Sequence, residues 1–404
     1  MSRTPKGNVP AEYQVPESFQ QFDGSWGENA RLALDTIAMQ PTRGIPQWML
    51  NIMQHSMIEE FAGAAPGEYR KDHRRVYLQF QHRIGTSMID QYIPDNPLSM
   101  GDRGYDSGTQ HGATTGLERI VCDGMLIDSP EAVAEHLEKI ALPNLRKEIA
   151  AFNQPAADRE IERLIEGEVA VQKEFGTNML KVPYGGFFSF PGIRYGQYGY
   201  ANYFMAYALY PEVMERDFSL QADLQTLWNG VRARAIVEGG LPRWLRLDHD
   251  MADSRGTLTD VRSLDRIWFP HFARSIRPLL DAGLRLLWHC DGNLMAMVPR
   301  LIEVGVGGFQ GFQYEDGMDY EAICKMTDRD GGPLAIIAGV SVTRTLPYGT
   351  PADVKRKLAW LVKHGPRVGL MLGGSSSIAP GVPLENLHTF VDGLNHYRVH
   401  GRAN

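Results

Sequence analysis

Five short segments of the chain place chemically capable residues directly after apolar runs. WLRL precedes Asp248-His249-Asp250, LRLLW precedes His289-Cys290-Asp291-Gly292-Asn293, and GFQGFQY precedes Glu315-Asp316. LAIIAGV precedes Ser341-Val342-Thr343-Arg344, and VGLML precedes Gly373-Gly374-Ser375-Ser376-Ser377. Singly, each is ordinary, because a polar residue after a strand commonly caps the next helix; Asp291, Asp316 and Ser341 could each do so. Together, an imidazole, several carboxylates and a thiol recur at one structural position.

His289 and Asp291 are two residues apart, so on an extended strand they face the same side. With Glu315 or Asp250 from neighbouring strands they could hold one divalent ion, and such nitrogen and oxygen ligands suit Zn²⁺, Fe²⁺ or Mn²⁺. The metal-free alternative is a His–Asp acid–base pair, in which Asp291 raises the proton affinity of His289. Cys290 alternates to the opposite face and reads as packed. Arg344, just past a strand end, could bind a substrate carboxylate. Ser376 and its serine neighbours could donate hydrogen bonds to an oxyanion, but no nucleophile-elbow pattern surrounds them, which argues against a serine hydrolase. The dense aromatic run through Tyr184, Phe187, Phe188 and Phe190, with Tyr195, Tyr198, Tyr200 and Tyr203, reads either as packing over a site or as an apolar wall for a ligand. His55, His82, His111 and His271 stand alone and read as structural or exposed.

These residues need elements that converge. The last 160 or so residues alternate strands and helices. The expected strands are 244–247, 284–288, 308–314, 334–340 and 368–372; the expected helices are 265–282, 294–304, 320–326, 351–363 and 384–397. Strand-then-helix units in series imply parallel strands, and the wholly apolar LAIIAGV suits a strand buried on both faces. Upstream, helices are expected over 29–39, 72–83, much of 130–175 and two over 200–239. Asp123-Gly124 marks a hairpin, and 179–184 a strand. No G-x-G-x-x-G or Walker loop follows a first strand, so the units favour a (β/α)₈ barrel over an open nucleotide-binding sheet. Residues 1–43 read as a helical arm and 44–404 as a single barrel domain.

The 404 residues are 43% apolar and 22% charged with net charge -7, which offers no basic footprint for nucleic acid and no attraction to anionic membranes. No signal-like or membrane-spanning run is found. Three scattered cysteines, Cys122, Cys290 and Cys324, fit a reducing cytoplasmic setting.

The ordered set of strand ends resembles the uroporphyrinogen decarboxylase and corrinoid-dependent methyltransferase superfamily. LRLLWHCDGNLMAMVPRLIEVGVGGFQGFQYEDGMD is similar to its H-x-C-G-N or H-x-D-G-N element, LMLGGSSSIAPGVPLENLHTFVDGL to its closing P-x-E-N signature, and LDHDMADSRGTLTD to an acidic strand end. The resemblance is strongest over residues 180–395 and implies the barrel. In decarboxylases of this family an Asp contacts the pyrrole nitrogens, and Asp90 is similar in position. Their Arg-rich segment is replaced here by GIPQWMLNIMQHSMIEEFAGAAPGEYR, with Met53 where an arginine would stand. In the methyltransferases zinc sits on His-x-Cys and a later Cys. His289 matches the His, Asp291 replaces the first Cys, and Ser376 stands in place of the second. The resemblance therefore implies a harder, oxygen-rich metal site that acts on a small oxygenated substrate and passes a methyl group to a corrinoid, cobalamin-type acceptor on a carrier protein. The alternatives are a decarboxylase using Asp90, or a barrel that binds a ligand or corrinoid without catalysis. Related barrels often pair, so a homodimer is expected.

Overall fold

The computed structural model describes residues 17–95 and 119–402. The first sixteen residues, His111 and the end of the segment after Asp90 lie outside them. Strands β1 (Met88–Ile89), β2 (Leu180–Lys181), β3 (Trp244–Asp248), β4 (Arg285–His289), β5 (Val306–Gln310), β6 (Ala335–Val340) and β7 (Leu370–Gly374) carry the architecture. Five of them form one sheet in the order β7-β6-β5-β4-β3, parallel throughout. β1 and β2 form a second parallel pair.

The N-terminal segment joins the two. Gln47 bridges Leu372 and Trp48 bridges Met88, both in parallel sense, and Ile52 bridges Ile378. Backbone bonds fix this: Trp48 N–H donates to the Leu372 carbonyl at 2.9 Å, Leu372 N–H to Pro46 at 3.0 Å and Met49 N–H to Met88 at 3.0 Å. The first extended segment is thus bonded to the last strand. Eight parallel segments lie side by side from β3 round to β2. The remaining seam, between β2 and β3, is crossed by side chains: Arg246 reaches Asp90 and Tyr184 reaches Asp248. The fold established is mixed α/β, with a parallel sheet and helices between its strands. The closed hydrogen-bonded ring expected from the sequence is not drawn by the backbone bonds at that seam.

β6 is buried at every position, which explains its uninterrupted apolar sequence. β4 alternates: Trp288 packs against Phe190, Trp268 and Phe272, at ring distances of 5.3, 6.2 and 5.5 Å, so the next residue, His289, faces the other way. Several boundaries differ from expectation: the strand expected over 179–184 is Leu180–Lys181, the helix expected over 294–304 is Val298–Val304, and that over 320–326 is Tyr320–Ile323. The helix expected over 265–282 is two helices, Val261–Ile267 and Phe269–Asp281. They meet at Trp268, whose indole donates to the Pro191 carbonyl at 2.7 Å. The strand expected over 308–314 runs from Val306 to Gln310 and stops at Gly311, whose φ of +79° an L side chain resists. The hairpin forms as Ile120–Cys122 with Met125–Ile127 around Asp123-Gly124, both at positive φ. In the arm, helix Glu28–Ile37 buries Ala30 and Ala33, and the side-chain oxygen of Asn29 accepts from Arg398 at 2.6 Å. Among the described residues no helix is long and apolar enough to cross a membrane.

Candidate metal centre and its rim

Three candidate ligands converge where β3 and β4 end. One ligand atom each from Asp250, His289 and Asp291 all lie within 4.8 Å of one another. The register explains it: Asp248 pairs with His289 at the strand ends, so the two following loops leave side by side. The Asp291 N–H donates to Asp250 Oδ1 at 3.0 Å, locking one loop to the other. Asp291 is oriented by neutral donors, Gln313 Nε2 at 3.0 Å on Oδ1 and Ser376 Oγ at 3.2 Å on Oδ2. Gln313 is fixed in turn by the Gly292 N–H at 2.8 Å. His289 is 8% exposed, and among the described residues its buried Nδ1 has no hydrogen-bond partner.

The electrostatics of the group are one-sided. Burial pushes the Asp250 carboxyl above the ordinary aspartate range, and the neighbouring Asp291 charge pushes it further, against the lowering effect of the Asp291 N–H. Two carboxylates held this close favour a shared proton or a shared cation. Cys290 is not among the three. Its Sγ accepts from Met251 N–H at 3.3 Å and lies 3.0 Å from the Asp291 carbonyl, and burial raises the thiol to about 12, so it stays protonated and packed.

Beside the triad runs a charge network that is buried at Arg246 and Asp90 and open to solvent at Asp248. Arg246, 4% exposed, bonds Asp90 Oδ2 through Nε at 2.7 Å and Asp248 Oδ2 through Nη1 at 3.1 Å. Trp48 Nε1 donates to Asp90 Oδ1 at 2.9 Å, and the Tyr184 hydroxyl donates to Asp248 at 2.8 Å. The guanidinium also lies over the Tyr184 ring, 4.5 Å from its centre. Burial alone would raise Asp248; the neighbouring His289 ring, the Arg246 guanidinium and the Tyr184 hydroxyl outweigh it and hold the carboxyl low. Asp90 behaves likewise: Arg246 and Trp48 overcome burial.

The other expected residues are placed as follows. Glu315 is not with the triad. It sits on the short turn Tyr314–Asp316, where its Oε1 accepts from Ser341 and from Thr343, the latter at 2.8 Å. Gly311 ends β5 early, and that turn carries Glu315 toward β6. Phe187 is 3% exposed and belongs to the core. Arg344 is exposed and lines a separate cavity. Tyr184 and Ser376 do reach the rim, each by touching an aspartate. The sequence reading missed Arg246 and Gln313; Tyr195, expected only as part of the aromatic run, donates its hydroxyl to the Asp250 carbonyl at 2.9 Å. Arg246 carried a usable signal, since R-x-D at 246 and 248 puts both side chains on one strand face.

No protein-family model matches the chain, and no curated protein matches it in sequence. Among solved structures, a methyltransferase from Methanosarcina mazei is similar with a TM-score of 0.54 and 14% identity, covering 92% of this chain and 99% of that one. At that identity the likeness is one of fold.

Proposed function

We propose that the chain is a metal-dependent methyltransferase, or demethylase, which removes a methyl group from a small oxygenated substrate. The observation that carries this is the convergence of Asp250, His289 and Asp291. The donor set fits a divalent ion: two carboxylates share a short space, and an imidazole nitrogen lies within 4.8 Å of both. Nitrogen and oxygen donors suit Zn²⁺, Fe²⁺ or Mn²⁺, and such an ion supplies Lewis acidity toward a substrate oxygen.

The chain's own groups do the rest. Gln313 and Ser376 aim Asp291, the Asp291 N–H holds Asp250, and Tyr195 tethers the backbone of Asp250. Tyr184 and Arg246 fix Asp248 beside His289. Tyr184, packed on Phe188, and Tyr195, which reaches the Asp250 carbonyl, give an apolar wall that limits water near the transferred group. In this reading the eight parallel segments are the strands of a uroporphyrinogen-decarboxylase-type barrel. The acceptor is a corrinoid carried by a partner protein. The methyltransferase neighbour and the family motifs support the class. Against the decarboxylase alternative, Arg246 is already committed to Asp90 and Asp248, so it cannot also bind the carboxylates of a tetrapyrrole acid.

The test is a Zn²⁺ titration of chelator-treated protein by calorimetry, with methyl transfer from methoxylated donors to cob(I)alamin read by absorbance. One ion per chain, lost in His289→Ala and Asp291→Asn, together with methylcobalamin formation by the wild type, supports the reading. Metal binding that ignores both substitutions overturns it.

A further inference from the structure

Arg344, displaced from the triad, lines a cavity of about 850 Å³. The cavity lies between the short turn Thr345–Tyr348 and the helix Pro351–His364. Thr345, Tyr348, Arg356, Lys357 and Trp360 line it with Arg344, and none of its lining residues belongs to the triad. Helical spacing produces the wall: positions 353, 356, 357 and 360 fall on one stripe. A capping box at Thr350 and Asp353 starts the helix and fixes its angle.

The charge there opposes that of the whole molecule. The chain carries a net charge of -7, yet residues 344–367 hold six cations and a single acidic residue, Asp353. Asp353 is taken: it pairs with Arg356 and closes the capping box. Among the described residues, neither Arg344 nor Lys357 forms an ion pair, and Glu315 acts on Lys357 only from beyond that distance. The Lys357 ammonium rests over the rings of Tyr314 and Trp360, 4.3 and 4.4 Å from their centres, which holds it in one place. Tyr348 is 83% exposed, a large ring at the cavity edge that covers no part of the core. One fixed ammonium, an exposed guanidinium, a hydroxyl at Thr345 and two aromatic rings around a cavity of ligand size form a recognisable combination.

We propose that this cavity is a second binding site, for a small anionic molecule with carboxylate or phosphate groups. Arg344 forks onto an anionic group, Lys357 supplies a point charge, and Tyr348 with Trp360 flanks any planar body. The site stands whether or not the triad holds a metal.

Two probes separate the sources of the anion: inorganic pyrophosphate, which is charge alone, and benzene-1,2-dicarboxylate, which adds a ring. Each is titrated by calorimetry into the full chain at low salt. Saturable 1:1 binding of either probe is expected, weakened at least tenfold in Arg344→Gln and in Lys357→Met, and unchanged in His289→Ala. Preference for the aromatic dicarboxylate that disappears in Tyr348→Ala assigns the ring contact. Both charged residues lie outside the core, and unchanged melting temperatures confirm that the variants fold. Binding that survives both substitutions overturns the proposal. So does failure of both probes while a polyglutamate peptide binds through Arg344 and Lys357, which would make the cavity a protein-docking surface.

Discussion

Asp291 does not work alone. Its two oxygens are aimed by Gln313 and Ser376, and partners of this kind set the orientation and basicity of a ligand. Gln313→Ala should therefore lower Zn²⁺ affinity by about 10- to 100-fold without removing a ligand, measured by competition with a chromogenic chelator. His249 makes a pH prediction. Burial holds its imidazole at about 4 in the folded chain, against about 6.5 unfolded. Between those values the unfolded chain binds a proton that the folded chain refuses, so stability is full above pH 6.5 and declines as pH drops toward 4. Denaturant titrations with chelator present should show that decline, and His249→Gln, which can still accept from the Ile193 N–H, should flatten it. At this scale the sequence was partly legible. Two-residue spacing put His289 and Asp291 on one face and Cys290 on the other. Gln313 was invisible because it acts through a loop contact between distant turns.

Elements hold these residues by close backbone approach. Gly311, at φ +79°, lies against the imidazole: a Cβ there would stand 2.4 Å from His289 Nδ1. Gly311→Ala should cost about 1–2 kcal/mol for the left-handed conformation and should also displace His289. The expected result is a lower melting temperature together with weaker Zn²⁺ binding. Arg246 ties β3 to the β1 edge through Asp90. Arg246→Met strands a carboxylate that is 3% exposed and should cost about 3–5 kcal/mol in denaturant unfolding, with part of the loss recovered in the double variant carrying Asp90→Asn. The strand-and-helix rhythm after residue 240 was readable because each unit has its own apolar run. The Met88–Ile89 strand and the bridges at Gln47 and Trp48 were not, since a two-residue strand shows no periodicity. Glu315 stands apart from the triad, and Asp250, the alternative to it, joins His289 and Asp291, for a related reason: one glycine ended the strand early and rotated what followed.

For the whole molecule, the helix of the arm and the last helix are tied into the same body. Arg398 bonds Asn29, and the Ile45 N–H donates to the Tyr397 carbonyl at 3.0 Å. Deleting the helix Leu384–His400 should therefore unfold the protein globally rather than fray one end. Hydrogen exchange in the intact chain should protect residues 46–49 and 370–374 to the same degree. The parallel architecture was legible in the sequence; the pairing of its two ends was not, because nothing local encodes a contact between positions so far apart.

That pairing has a consequence for biosynthesis. The edge presented by residues 46–53 leaves the ribosome early, yet its partner at 370–378 is made more than three hundred residues later. At ordinary synthesis rates of about 5–20 residues per second, the wait is on the order of fifteen to sixty seconds. During that interval an unmatched strand edge is open to wrong partners. Nascent chains stalled just short of residue 370 should therefore be the species most prone to aggregate and most dependent on chaperones.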